Sequence, residues 1–142
     1  MKQKNLWLLI LCLLSGCTGF SSKENIVGNY YLIATDTDEQ SSLSYCEPAD
    51  KNGCIGIIEA TVFAVGYNKD YIIAKQHPRV DPKVPNKSVT NYFILPITKK
   101  ETHWGSNSGL IGPLRLDQFN EKKKELNLPP DLKFTVEKSN LK

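Results

Sequence analysis

The 142-residue chain holds two histidines, four cysteines, two tryptophans and one methionine. That scarcity restricts its chemistry at once. A hydrolase needs a nucleophile, a base and an orienting group, and no G-x-S-x-G turn is present. One close cysteine pair, Cys46 and Cys54, without a nearby histidine pair is poor material for zinc. The acidic cluster Asp36, Asp38 and Glu39 lacks the spacing and distal glutamate of a calcium loop. It lies in "DTDEQSS", where aspartate serves local turn hydrogen bonds, so paired-carboxylate chemistry is not expected there either. No metal and no cofactor are expected. Dense Lys/Arg interleaved with aromatics is absent, which leaves nucleic acid out as a partner. No internal repeat occurs, and the length predicts a single domain once any targeting segment is set aside.

Long apolar runs are also missing, with one short exception. Leu6 to Leu14 is almost wholly apolar, follows Lys2 and Lys4, and precedes the small residues Ser15 and Gly16. As a helix these residues would reach only about 14 Å at ~1.5 Å per residue. A bilayer needs about 20 apolar residues, so residues 1–16 read as a signal peptide and not as a span. Loss of Lys2 and Lys4 lowers the formal charge from +3 to +1, so the sequence pI of 8.6 overstates the basicity of the mature chain.

Leu14-Ser15-Gly16-Cys17 resembles the lipobox of bacterial lipoproteins. The resemblance implies that Cys17 carries a diacylglycerol through a thioether, that residues 1–16 are removed, and that the membrane is a partner through this anchor. Acyl chains contribute ~0.8 kcal/mol per buried CH₂, and two or more hold a protein firmly. Thr18 follows Cys17 where a retention signal would have aspartate, which implies the outer membrane if the cell is Gram-negative. With Cys12 in the signal peptide and Cys17 lipidated, Cys46 and Cys54 remain as a pair in an exported domain, where a disulfide is the default. Pro48 and Asn52-Gly53 supply turn chemistry between them.

Residues 17–27 read as the lipidated cysteine and a short polar tether, and residues 28–142 as one globular domain. "NYYLIAT" (29–35) has strand composition, and a second short strand around Ser42 to Cys46 leads into the cysteine loop. Ile57 to Val65 is apolar except at Glu59 and Thr61, as expected of a strand covered on both faces. It forms a hairpin with Tyr71 to Lys75 through Asn68-Lys69-Asp70, and Gly56 marks a bulge. "HPRVDPKVPNKS" (77–88) reads as an extended loop or edge wrap because proline cannot donate to a ladder. "TNYFILPI" (90–97) is a strand whose Pro96 indicates an edge position or a strand end. Leu116 to Asn127 is predicted helical, with Leu116, Phe119 and Leu126 on one face, and Pro129-Pro130 stops it. "LKFTV" (132–136) is a last strand, pairing with the central hairpin. The expected fold is α+β: a mostly antiparallel sheet of five or six strands, with one C-terminal helix on one face.

"GNYYLIA", "ATVFAVGYNKDYIIAKQHP", "NYFIL", "IGPLRLDQFNEKKKEL" and "LKF" together resemble a family of small bacterial lipoproteins known only as a domain of unknown function. The resemblance implies the same fold and export but transfers no functional residues. His77 and His103 are the histidine candidates. Trp104, within the polar loop "THWGSNSG" (102–109), has the character of a binding anchor, with Arg79, Lys83 and Lys87 of the proline-rich loop beside it. The functional expectation is a lipid-anchored cell-envelope protein acting as a binding or structural module on a macromolecular partner, such as another envelope protein. The alternative is an envelope hydrolase using His77 and Asp81, or an inhibitor of a hydrolase near peptidoglycan.

Overall fold

The computed structural model describes residues 21–47, 53–81, 84–97 and 109–142. Residues 1–20, which hold the expected signal segment and Cys17, and the loop residues Lys83, His103 and Trp104 lie outside the described residues.

Strands β1 (Ser21–Val27), β2 (Tyr30–Thr35), β3 (Ser42–Cys46) and β4 (Cys54–Ile58) form one antiparallel sheet in chain order. A second antiparallel sheet contains β5 (Val62–Tyr67), β6 (Tyr71–Gln76), β9 (Asn91–Pro96), β10 (Ile111–Leu114) and β11 (Val136–Glu137), in the order β10-β9-β6-β5-β11. Between β6 and β9, β7 (Arg79–Asp81) and β8 (Val84–Pro85) pair only with each other. Helix α1 spans Leu116–Glu125. The mostly antiparallel α+β architecture with one C-terminal helix is therefore present. The expected single sheet is divided into two larger sheets and a small hairpin.

The division explains the sequence pattern. Pleating sends alternate residues to opposite faces of a strand. Ile72, Ala74, Phe93 and Leu95 of the second sheet join Leu32, Leu43, Tyr45 and Ile58 of the first in one core. Ile73 and Ile94 turn the other way, onto Phe119 of α1 and onto Leu128 and Leu132 after it. The second sheet is thus buried on both faces, and its strands are almost continuously apolar. Ile57 to Val65, however, is not one strand. Glu59 and Thr61, its two polar members, fall in the crossover where the chain leaves β4 and enters β5. Thr61 is buried there because its hydroxyl donates to the Glu39 carbonyl.

Several local expectations changed. Ser21–Asn25, read as tether, belongs to β1 and pairs with β2. β9 is interior to its sheet, and Pro96 marks its end. β10, through Gly112-Pro113, was not anticipated, and it pairs Ile111 with Ile94 and Leu114 with Tyr92. On α1 Phe119 is buried and Leu126 packs beside it, whereas Leu116 is exposed. Gln118 closes the helix start by accepting from the Arg115 N–H at 2.9 Å. The bulge at Gly56 is present: Ser44 pairs with Gly56 and Leu43 with Ile58, leaving Ile57 as the extra residue. The final strand is shorter and later than expected: residues 132–135 are not strand, and only Val136, with Glu137 after it, pairs with Val65 and Ala64 of the central hairpin.

Candidate functional site

The strands give the molecule two distinct ends. One end collects Ser21 and Thr35, which pair, the start of β3, the start of β5, the end of β6 and the start of β9. Ser41 ties the two sheets together here, its carbonyl accepting from the Val62 N–H at 2.7 Å and its hydroxyl donating to the Val62 carbonyl at 2.8 Å. The β7–β8 hairpin leaves from this end, after Gln76. At the other strand ends lie the Gly28-Asn29 turn, the Asn68–Asp70 turn, and Cys46 and Cys54. Ile97 and Gly109, which flank the segment carrying His103 and Trp104, follow β9 and precede β10 at that side, with the Ile97 N–H bonded to the Asp70 carbonyl at 2.8 Å.

Cys46 and Cys54 form the expected disulfide, with Cα atoms 4.0 Å apart. The bond closes the β3–β4 connection where the two residues already pair across the ladder. The Cys46 N–H also donates to the Asn29 carbonyl at 2.9 Å, so the covalent link joins an edge that the β1–β2 turn already supports.

His77 is a core residue. It is 3% exposed and stacks on Phe63, with ring centroids 4.1 Å apart and an 11° interplanar angle. A bulge in β5 between Val62 and Ala64 turns Phe63 toward it. Backbone bonds to Thr61 in both directions hold the histidine in place. Its Nδ1 lies 2.7 Å from the Val89 carbonyl, and a carbonyl only accepts, so Nδ1 carries the proton. Nε2 is buried without a hydrogen-bond partner. Burial removes the ring from direct contact with a partner.

Arg79, two residues on, is half-buried on β7, and its Nε is buried without a hydrogen-bond partner. The structure therefore brings His77 and Arg79 to one end. Their relation to His103 and Trp104 lies outside the described residues, although the strand ends flanking those two residues are on the other side. Among the described residues no group of three His, Cys, Asp or Glu side chains could hold a metal ion.

The family profile described as "Protein of unknown function (DUF3997)" matches residues 27–140. The chain belongs to this family. No curated protein and no solved structure matches it. The matched span of DUF3997 runs from the end of β1 to the last 3₁₀ turn, Ser139–Leu141, and includes the disulfide and helix α1. Cys17 precedes it.

Two further features within the DUF3997 span escaped the sequence reading. Asp38 bonds Lys138 at 2.7 Å and Asn140 at 3.1 Å, linking the β2–β3 connection to residues a hundred positions away. These hydrogen bonds, from Lys138 first, hold the Asp38 carboxyl below its ordinary pKa. Lys87 in turn donates to the Asn140 carbonyl at 3.0 Å, which joins the segment after β8 to the same cluster. No local pattern signals such long-range partners. The second feature is an open groove of about 750 Å³ at the C-terminal end of α1, between Asn120, Lys123, Lys124, Asn127 and Pro129-Pro130. Helix carbonyls carry partial negative charge at that end, and Lys122 to Lys124 in the last turn offset it. The lysines thus have a local electrostatic role without any ligand.

Proposed function

We propose that this protein is a lipid-anchored component of the bacterial cell envelope whose folded domain serves as a binding or structural module for a macromolecular partner. The observation that carries the reading is the separation of the two ends. β1 begins at Ser21, four residues after the lipobox cysteine. At most ~3.6 Å per residue separates them, so the lipid attachment lies within about 14 Å of Ser21. The Asn68–Asp70 turn and the strand ends flanking the Trp104 segment are on the side away from Ser21. In this arrangement the anchor holds one end at the membrane and the opposite end is offered to the envelope. Trp104, the one tryptophan after the signal segment, supplies the aromatic anchor that protein interfaces favour.

Two measurements test the parts separately. Cys17→Ser should lose acyl labelling and accumulate as unprocessed precursor; normal processing would remove the anchor from the proposal. A photoreactive amino acid at position 104 should crosslink in intact cells to one defined envelope partner. Absence of any adduct, with processing and folding intact, would remove the binding role of that segment.

A further inference from the structure

We infer that the β7–β8 hairpin is a second membrane contact, lying on the lipid surface beside the acyl anchor. The inference rests on the anchored reading given above and adds a protein surface to it. Val80 and Val84 are 80% and 59% exposed, and Val89, just beyond the hairpin, is 41% exposed. These are three of the five large apolar side chains exposed among the described residues, and all fall within ten positions. The hairpin is not an extension of either large sheet, since β7 and β8 pair only with each other. Pro78 and Pro85 restrict its backbone, and the Asn86 N–H donates to the Pro78 carbonyl at 2.8 Å to close its base. The valines are therefore displayed on a braced projection.

The position of the hairpin selects the occupant. A continuous set of contacts connects it to the first residue of β1. Lys87 bonds Asn140, Asn140 bonds Asp38, and the Thr37 N–H donates to Thr35, the residue that pairs with Ser21. A second route runs from His77 through Thr61 to Glu39. The hairpin consequently shares an end of the molecule with Ser21, and the lipid on Cys17 lies within about 14 Å of that residue. A bilayer reached by that lipid spreads across the same end. Apolar side chains beside an anchor favour the interface of a bilayer, and a polybasic or apolar patch supplies a second signal to an acyl chain.

Charge supports the same assignment, as a secondary effect. Residues 77–90 carry Arg79, Lys83 and Lys87 against Asp81 alone. Asp36, Glu39 and Glu59 also lie toward this end, and Asp38 there is matched by Lys138. The 77–90 segment itself thus carries net positive charge in sequence, which suits anionic phospholipid headgroups.

The full acylated protein, reconstituted into phosphatidylethanolamine–phosphatidylglycerol vesicles, provides the test. With Cys17 acylated and Cys46–Cys54 oxidised, Val80→Cys or Val84→Cys leaves one thiol for an environment-sensitive fluorophore. Lys69→Cys, in the turn at the opposite end, is the control. Probes at positions 80 and 84 should emit at shorter wavelength than the probe at 69 and be quenched by spin-labelled lipid. Emission equal to that at position 69 in a protein that mass spectrometry shows to be acylated would overturn the hairpin contact and leave the anchor standing. Protection from aqueous iodide without quenching by spin-labelled lipid would assign the hairpin to a second copy of the chain and also overturn it. A mass lacking the acyl group would overturn both readings, and is distinguished from the other outcomes by that measurement alone.

Discussion

Gly66 is where the C-terminal segment presses most closely on the central sheet, and its substitution gives a quantitative test of the fold. A Cβ at this position would lie 2.0 Å from the Lys133 carbonyl oxygen, 2.6 Å from the carbonyl carbon and 3.1 Å from Ile73 Cγ1. Real Cβ atoms essentially never come within 3.0 Å of such neighbours, so Gly66→Ala requires a displacement of about 1 Å. The obstacle is backbone and cannot rotate away. The nearby Leu132 is buried, and the Thr135 N–H bonds the Val65 carbonyl at 3.0 Å, so moving Lys133 strains a packed side chain and a ladder bond together. Overpacking costs about 1–3 kcal/mol, and a weakened hydrogen bond adds about 1 kcal/mol. A loss of about 2–4 kcal/mol follows, or a melting temperature lowered by roughly 10 °C for a domain of this size. Gly56→Ala is the internal control, because its Cβ would meet nothing within 4 Å. Reduced unfolded-state freedom should leave that variant unchanged or stabler by up to about 1 kcal/mol. Thermal and urea melts followed by circular dichroism compare the two. A Gly66→Ala protein melting like wild type, or equal losses in both variants, would refute the close approach of residues 132–135 to β5.

Replacing both Cys46 and Cys54 by serine should destabilise the domain by about 2.5 kcal/mol in the chain-entropy model, since the disulfide spans a sequence separation of 8; urea titration of the oxidised and variant proteins checks it. His77→Ala removes a buried, stacked ring and should cost about 2–3 kcal/mol, so any loss of cellular function must be compared with the stability lost in the same melts. Asp38→Asn should weaken the link to Lys138 and Asn140 by about 0.5–1 kcal/mol near neutral pH. Asp38 has a depressed pKa, chiefly through the Lys138 hydrogen bond. Its contribution is therefore present above the unfolded carboxylate value of about 3.9 and fades as pH falls through the lower folded value. The stability difference between wild type and Asp38→Asn, measured by urea melts at successive pH values, should shrink on acidification; a difference that grew instead would contradict the pairing.

Composition and periodicity revealed the strands more readily than their partners. "YIIAK" and "YFILP" are legible as strands from their composition, but the interior position of the second is not, because Pro96 points equally to an edge and to a strand end. The disulfide was legible from cysteine count alone once two cysteines had been assigned elsewhere. The division into two sheets was not, although its marks were present as Glu59 and Thr61 in an otherwise apolar run. A polar pair there reads equally as tolerated exceptions or as a crossover, and only tertiary pairing decides. β10 was hidden because Gly112 and Pro113 are poor strand formers, while its ladder needs only Ile111 and Leu114. His77 looked like a loop residue because Pro78 follows it. Its burial depends on Phe63 and Val89, which are distant in sequence. The candidate surfaces followed the same rule: the basic residues of the 77–90 segment were visible, but not its exposed valines or which end of the molecule they occupy.

That end is decided by the way the chain closes. The C-terminal residues turn back so that Leu141 is fully buried against Phe63 and Ala64, while Lys138 reaches Asp38. These contacts hold the last segment against the start of β5, next to the connection that follows β2. Lys87 bonds to the Asn140 carbonyl, so the base of the β7–β8 hairpin is positioned by the same closure. Phe63 contributes to both arrangements, packing on Leu141 and stacking on His77, and His77 holds the Val89 carbonyl. A disturbance of the C-terminal turn should therefore reach the hairpin through Asn140 and through Phe63, although neither contact touches Val80 or Val84. Leu141→Ala, which vacates a fully buried site at a cost of about 2–5 kcal/mol, should accordingly increase amide hydrogen exchange in residues 86–91 more than in the β3–β4 pair closed by the disulfide. Equal increases in the two regions would show that the closure stabilises the domain as a whole without positioning the hairpin.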